Sequence, residues 1–212
     1  MTDDRTASTT WQAARTYPAA TPPAATPPGG STPGSTPPGN GAPGRRVPGQ
    51  ADRLAASFDL MAALLEGAGL QDLLTLVVGR ARLMAEARLA FIALPGEAPG
   101  TLTIDVTDGV GAGYVEGLTV RIGTSAIGRV FATRRALSVR VATDPVLKGL
   151  PPGPIFLLPL DTGERTWGVL ALAGGPGDIP LGASVKRQLL IFATTSATLI
   201  ELAEERRAAY PA

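Results

Sequence analysis

Three short stretches carry residue types that could do chemistry. "GVGAGYVEG", residues 109–117, has the glycine density of a dinucleotide-binding loop, where backbone N–H groups and a succeeding helix dipole hold a pyrophosphate. The segment after it reads as a short strand over about Val115–Val120, not a helix, so the dipole is missing and a glycine-rich connection fits better. "GTSAIG", residues 123–128, sets Ser125 among glycines loosely as a nucleophile elbow does. The glycine spacing differs, however, and no histidine exists to take a proton from the hydroxyl, whereas Ser125 or Thr124 suits a helix N-cap. Asp105, Asp108 and Glu116 are neighbouring carboxylates in the strand region; such groups do acid–base work or bind a hard cation, and on an alternating strand they also mark its wet face. Arg129, Arg134 and Arg135 are either phosphate contacts or a solvated face with cations at a helix end, and the helical spacing favours the face.

The residue types that are absent narrow the chemistry further. The 212 residues include no cysteine and no histidine. A disulfide framework, a thiolate nucleophile, a Ser-His-Asp triad, histidine- or cysteine-held metals and proximal-histidine haem are all excluded. A noncatalytic role without a metal or cofactor is the expectation. The formal net charge of +1 supplies no field that favours nucleic acid or an anionic membrane. No signal peptide is legible at the N-terminus, and apolar runs such as "IFLLPL" fall far short of the ~20 residues a membrane span needs, so a cytoplasmic protein is expected.

The elements that must position these residues start near residue 51. Residues 1–50 contain 10 of the 20 prolines and cannot bury enough apolar surface to offset their ordering entropy; this segment reads as a disordered Pro/Gly/Thr-rich tail. Residues 51–208 read as one folded domain. Leu54, Phe58, Met61 and Leu65 recur every three to four residues, as in a helix over 52–66. After "EGAGL", a second amphipathic helix carries Leu73, Leu76, Val77, Ala81 and Met84 on one face. "RLAFIAL" and "TLTIDVTD" form a predicted hairpin across "PGEAPG", the second strand alternating apolar and polar residues. A short helix comes next over "SAIGRVFATR", with Ile127, Val130 and Phe131 on one face, and then the strand "ALSVR". "IFLLPL" and "TWGVLALA" are buried strands joined at "DTGER". A final helix over 184–206 carries Val185, Leu189, Phe192, Ser196, Leu199 and Ala203 as a stripe. Helices, then strands with a short helix among them, then a helix make an α+β domain with a mainly antiparallel sheet of five to six strands.

This order and these words resemble a GAF domain. The most specific stretches are "SAIGRVFATRRALSV" and "PLDTGERTWGVLALA", and the resemblance covers about residues 52–207. It is strongest to the GAF domains of actinobacterial sensor histidine kinases of the dormancy-regulator type. In those kinases the last helix continues toward a phosphoacceptor histidine and an ATP-binding domain; here the sequence ends at "EERRAAYPA", which implies the sensor part alone or the sensor remnant of a truncated histidine kinase. Members that hold haem use a histidine and those that hold bilin use a cysteine, so neither cofactor is expected, and the asparagine–lysine–aspartate signature of cyclic-nucleotide binders is not found. The resemblance implies a regulatory module of two-component signalling that binds a small molecule noncovalently, dimerises, or both, with a kinase or response regulator as further partner. A purely structural dimerisation domain is the alternative. In this fold the short helix and its glycine turn lie beside the ligand cavity, which makes Leu94, Tyr114, Ile127, Phe131, Phe156 and Trp167 the candidate ligand-binding residues. They would equally fill a core without ligand. The first and last helices carry apolar stripes broader than one small sheet requires, and pairing them across a twofold axis would bury the excess.

Overall fold

The computed structural model describes residues 49–143 and 145–209, all in a unit beginning at Arg45. The tail expected over 1–50 thus lies almost wholly outside the described residues. Helix α1 is Gln50–Leu65 and α2 is Leu70–Ala85. Both begin the same way: Asp52 accepts the Gly49 N–H at 2.7 Å and Asp72 accepts the Gly69 N–H at 3.3 Å. Each carboxylate thereby ties down the chain entering its helix and places negative charge at the positive end of the dipole. Between the helices Gly67 takes a φ of 90°, which only glycine adopts freely.

The sheet has six strands: β1 Leu89–Pro95, β2 Thr101–Gly109, β3 Thr119–Arg121, β4 Leu137–Arg140, β5 Pro154–Asp161 and β6 Thr166–Ala173. Their order is β3-β2-β1-β6-β5-β4 and every neighbouring pair is antiparallel. Two short helices, α3 (Ala112–Val115) and α4 (Ala126–Thr133), cover one face, and the long α5 (Ala183–Ala209) lies with α2 on the other.

The fold matches the α+β expectation, with two local differences. Val115 ends the helical turn α3, so the third strand starts only at Thr119. In β2, Ile92 pairs with Val106 while Ala93 pairs with Ile104, which leaves Asp105 as the extra residue of a bulge. Leu102 and Ile104 therefore join the α3/α4 side, and Val106 turns to the α2/α5 side. Strict alternation would have put all three on one face.

Both faces of the sheet carry a core. On the α2/α5 side, Ala90, Ile92, Val106, Leu158, Leu170 and Leu172 meet Leu73, Val77, Ala81, Leu189, Phe192 and Ile200. On the other, Phe91, Leu102, Ile104, Ile155 and Leu157 meet Val115, Ile127, Val130, Leu147 and Leu150. Helix α1 forms a further layer, resting on α2 and α5 through Ala56, Leu60 and Leu64. Arg53 Nε donates to Gln188 Oε1 at 2.7 Å near the start of α1, and Arg206 donates to the Leu64 carbonyl at 2.9 Å near its end. These two bonds fix α1 and α5 as a parallel pair.

Candidate functional site

The "GTSAIG" stretch is built for packing. Ser125 is buried; its Oγ accepts the Gly128 N–H at 2.9 Å and donates to the Arg121 carbonyl at 3.2 Å, so the hydroxyl caps α4 and its proton is held by a backbone carbonyl rather than by a base. Gly128 lets α4 press onto the β3 end: a Cβ there would collide with the Arg121 carbonyl and lie 2.8 Å from Ile122 Cα. Arg134 ends α4 in the left-handed conformation, φ 55°, and donates to the Gly163 carbonyl at 2.7 Å. That arginine ties α4 to the β5–β6 turn. The tie joins residues 29 apart, which no local pattern displays.

The six residues expected to line a ligand cavity do not converge. Leu94, Phe156 and Trp167 pack with the α2/α5 core, while Ile127 and Phe131 belong to the α3/α4 core. Tyr114 stands on α3 with 59% of its surface exposed. The sheet lies between the two groups, because α4 docks on the face opposite the helical layer. Lys186 lies over the Phe156 ring at 5.4 Å, and Arg165 covers the Trp167 ring at 4.0 Å, so these two aromatic faces are already occupied by cations of the chain itself. Ile127, Leu147 and Phe91 are fully buried together on the far face, so the space beside α4 is filled by side chains.

The three carboxylates stand in different settings. Asp108 pairs with Arg82 of α2 at 2.6 Å, Asp105 is the exposed bulge residue, and Glu116 comes directly after α3. Among the described residues, no group of three or more His, Cys, Asp or Glu is placed to hold a metal ion.

The unexplained feature lies on the helical side. The stripe Leu54, Phe58, Met61 and Leu65, which marks α1 as a helix in the sequence, is the stripe left uncovered. Phe58 and Leu65 are 65% and 78% exposed. Four residues at 4-3-4 spacing line one side of a helix. On α5, Ile191 and Leu202 are also exposed. Both helices of the parallel pair thus leave large apolar side chains exposed. On the other flank of α1, a cavity of about 240 Å³ opens between α1 and α2, lined by Ala55, Leu83 and Met84 under the Asp59–Arg80 ion pair (2.9 Å). Spacing alone could reveal the stripe; which of two apolar sides of α1 is buried could not be read, because Ala56, Leu60 and Leu64 also repeat at four-residue intervals.

No protein-family model matches the sequence, and no curated protein matches it. Solved structures do. The second GAF domain of DevS from Mycobacterium smegmatis superposes with a TM-score of 0.60 at 27% identity, covering 66% of this chain and 99% of that one. The GAF domain of a phosphoenolpyruvate-protein phosphotransferase from Coxiella burnetii gives 0.61 at 17% identity, over 74% of this chain and 98% of the other. A phycoerythrobilin-bound GAF domain from a cyanobacterial phytochrome gives 0.62 at 11% identity, with the same coverages of 74% and 98%. The last two show the fold alone. The six-stranded order, the helical layer on one face with α3 and α4 on the other, and the match to nearly the whole length of the Mycobacterium domain together show that this chain has the fold of a GAF domain.

Proposed function

We propose that this protein is a noncatalytic regulatory module of bacterial signal transduction that works by pairing through α1 and α5. The observation that carries this reading is the uncovered stripe of α1, with Phe58 and Leu65 mostly exposed, together with exposed Ile191 and Leu202 on its partner helix α5. Large apolar side chains in a continuous row mark an interaction surface rather than a solvated one. The composition supports the noncatalytic part, since histidine and cysteine are both absent. The parallel course of α1 and α5 suits a module that receives a signal at one end and passes it on at the other, in the manner of a two-component sensor acting on a kinase or response regulator. Sedimentation velocity on the full chain tests the pairing. The wild type is expected to be a dimer at micromolar concentration, and the Phe58→Asp/Leu65→Glu double variant a folded monomer. A wild-type monomer at about 100 µM would end this reading, since a module that works by pairing must pair well below that concentration.

A second reading adds a small-molecule input, favoured by the cavity of about 240 Å³ between α1 and α2. A metabolite there would touch α1 directly and act by population shift, stabilising one seating of α1 over another. Native mass spectrometry of protein freshly purified from cells is expected to show extra mass that is lost on denaturation. An apo species that stays unchanged across a metabolite panel would leave pairing as the whole function.

A further inference from the structure

The two cores lie on opposite faces of the sheet, with α4 in one and α5 in the other. One short segment holds on to both. The turn from Asp161 to Thr166, between β5 and β6, is tied to itself. The Thr162 N–H donates to the Arg165 carbonyl at 3.0 Å, the Arg165 N–H to Thr162 Oγ1 at 3.3 Å, and Thr166 Oγ1 to Asp161 Oδ1 at 2.8 Å. Bonded in this way, the turn moves as one piece. From the α4 side Arg134 grips it: the guanidinium donates to the carbonyls of Gly163 at 2.7 Å and Glu164 at 3.5 Å and lies 3.8 Å from Asp161. On the α5 side, Thr162 Oγ1 donates to Glu201 at 3.5 Å, and Arg165 covers the ring of Trp167, which packs on the α2/α5 core. Trp167 Nε1 is buried without a hydrogen-bond partner, so the cation and the apolar packing set where the ring lies.

Arg134 is at odds with its own backbone. Its φ of 55° is a left-handed conformation that glycine adopts freely and a long side chain does not. A helix end of this kind needs only a glycine. What an arginine adds is the hold on two carbonyls of a turn 29 and 30 residues further on. From these contacts we infer that the β5–β6 turn is a coupling element. A displacement of α4 on one face passes through Arg134 and the turn, around the end of the sheet, to Trp167 and to α5 near Glu201 on the other. Coupling between separated sites travels through such chains of direct contact. It lies within one chain and holds whether or not copies pair or a ligand enters. Lys186 of α5 also donates to Ser138 of β4, at 3.3 Å. That bond is exposed and sits near the start of α5, about 22 Å along the helix from Glu201.

A double-mutant cycle in the full chain tests the coupling by hydrogen exchange, with Trp167 fluorescence read in a Trp11→Phe background. Ser125→Ala loosens α4 by removing its cap. It is expected to speed exchange of the α5 amides around Glu201 by roughly threefold or more, relative to those of Val77 and Val78 in α2, and to raise acrylamide quenching of Trp167. Arg134→Gly relaxes the backbone and cuts the hold on the turn. It is expected to leave α4 amides within about twofold of wild type while the Glu201 segment exchanges roughly fivefold faster. In the double variant, Ser125→Ala should loosen α4 as before and change the Glu201 segment by less than about twofold. Ser138→Ala is expected to leave that segment unchanged. An Arg134→Gly protein whose Glu201 segment and Trp167 match wild type overturns the proposal. So does a Ser125→Ala effect that reaches Glu201 undiminished without Arg134, or a Ser138→Ala variant that loosens the segment as much. Should Arg134→Gly fail to fold, Arg134→Gln cuts the same hold and is read in the same way.

Discussion

At the residue scale, the segment with the most chemical promise is organised by backbone approach. Gly128 sits where a Cβ would meet the Arg121 carbonyl and lie 2.9 Å from Gly123 N, and these are backbone atoms that cannot swing aside. Gly128→Ala is therefore expected to push α4 off β3 and destabilise the fold by roughly 1–3 kcal/mol despite alanine's better helix propensity. Thermal unfolding checks the sign: a variant at or above the wild-type Tm would show that α4 has slack. Ser125→Ala removes the cap from the Gly128 N–H and is expected to cost about 1 kcal/mol. That serine's role was legible in the sequence, because a lone Ser before an apolar helical repeat is a capping signal and no base exists to make it a nucleophile. The role of Arg134 was not. Its charge read as a helix-end cation, but its partner is the Gly163 carbonyl in a distant turn, and such a partner is fixed by tertiary structure alone.

At the element scale, helices and strands were readable because apolar periodicity is a property of each element, whereas the facing of those elements was less so. The bulge at Asp105 reversed the side on which Val106 lies, and nothing in "TIDVT" interrupts the alternation that hides it. For the same reason the six candidate residues split across the sheet: which side of the sheet each element meets is set by topology. Helix α1 is the sharpest case. It has two apolar sides, one of leucines and alanines that is buried and one led by Phe58 that is not. Their energetics should separate. Leu60 is fully buried, and Leu60→Ala is expected to lower monomer stability by roughly 2–5 kcal/mol. Phe58→Ala is expected to leave unfolding of a dilute, monomeric sample within about 0.5 kcal/mol of wild type, since surface truncations do little, while weakening association. Denaturant melts at low and high protein concentration distinguish the two. A Phe58→Ala variant destabilised as much as Leu60→Ala at both concentrations would mean that Phe58 serves the core and that the stripe is no docking surface.

At the scale of the whole molecule, charge and apolar surface divide the labour. The chain is nearly neutral, its identified ion pairs lie between elements or at helix ends, and the apolar face bears no charged stripe residue on α1. Pairing of copies through this face would meet neither strong steering nor repulsion, and would rest on the burial of hydrocarbon. Two consequences separate this from a charge-driven assembly. Screening shortens the Debye length from about 10 Å at 0.1 M salt to about 3 Å at 1 M, so an association built on ion pairs weakens steeply over that range. One built on Phe58, Leu65, Ile191 and Leu202 should hold or tighten slightly, because excluded salts such as sulfate favour apolar burial. Calorimetric dilution should also give a negative heat-capacity change on association, the mark of apolar surface leaving water. The expected outcome is a Kd constant within about threefold between 0.1 and 1 M sodium chloride, lower in ammonium sulfate, with that heat-capacity sign. A dimer that falls apart as sodium chloride rises would place the contact elsewhere, on the arginines of the α4 end and the β5–β6 turn, and would leave the exposed stripe of α1 to a different partner.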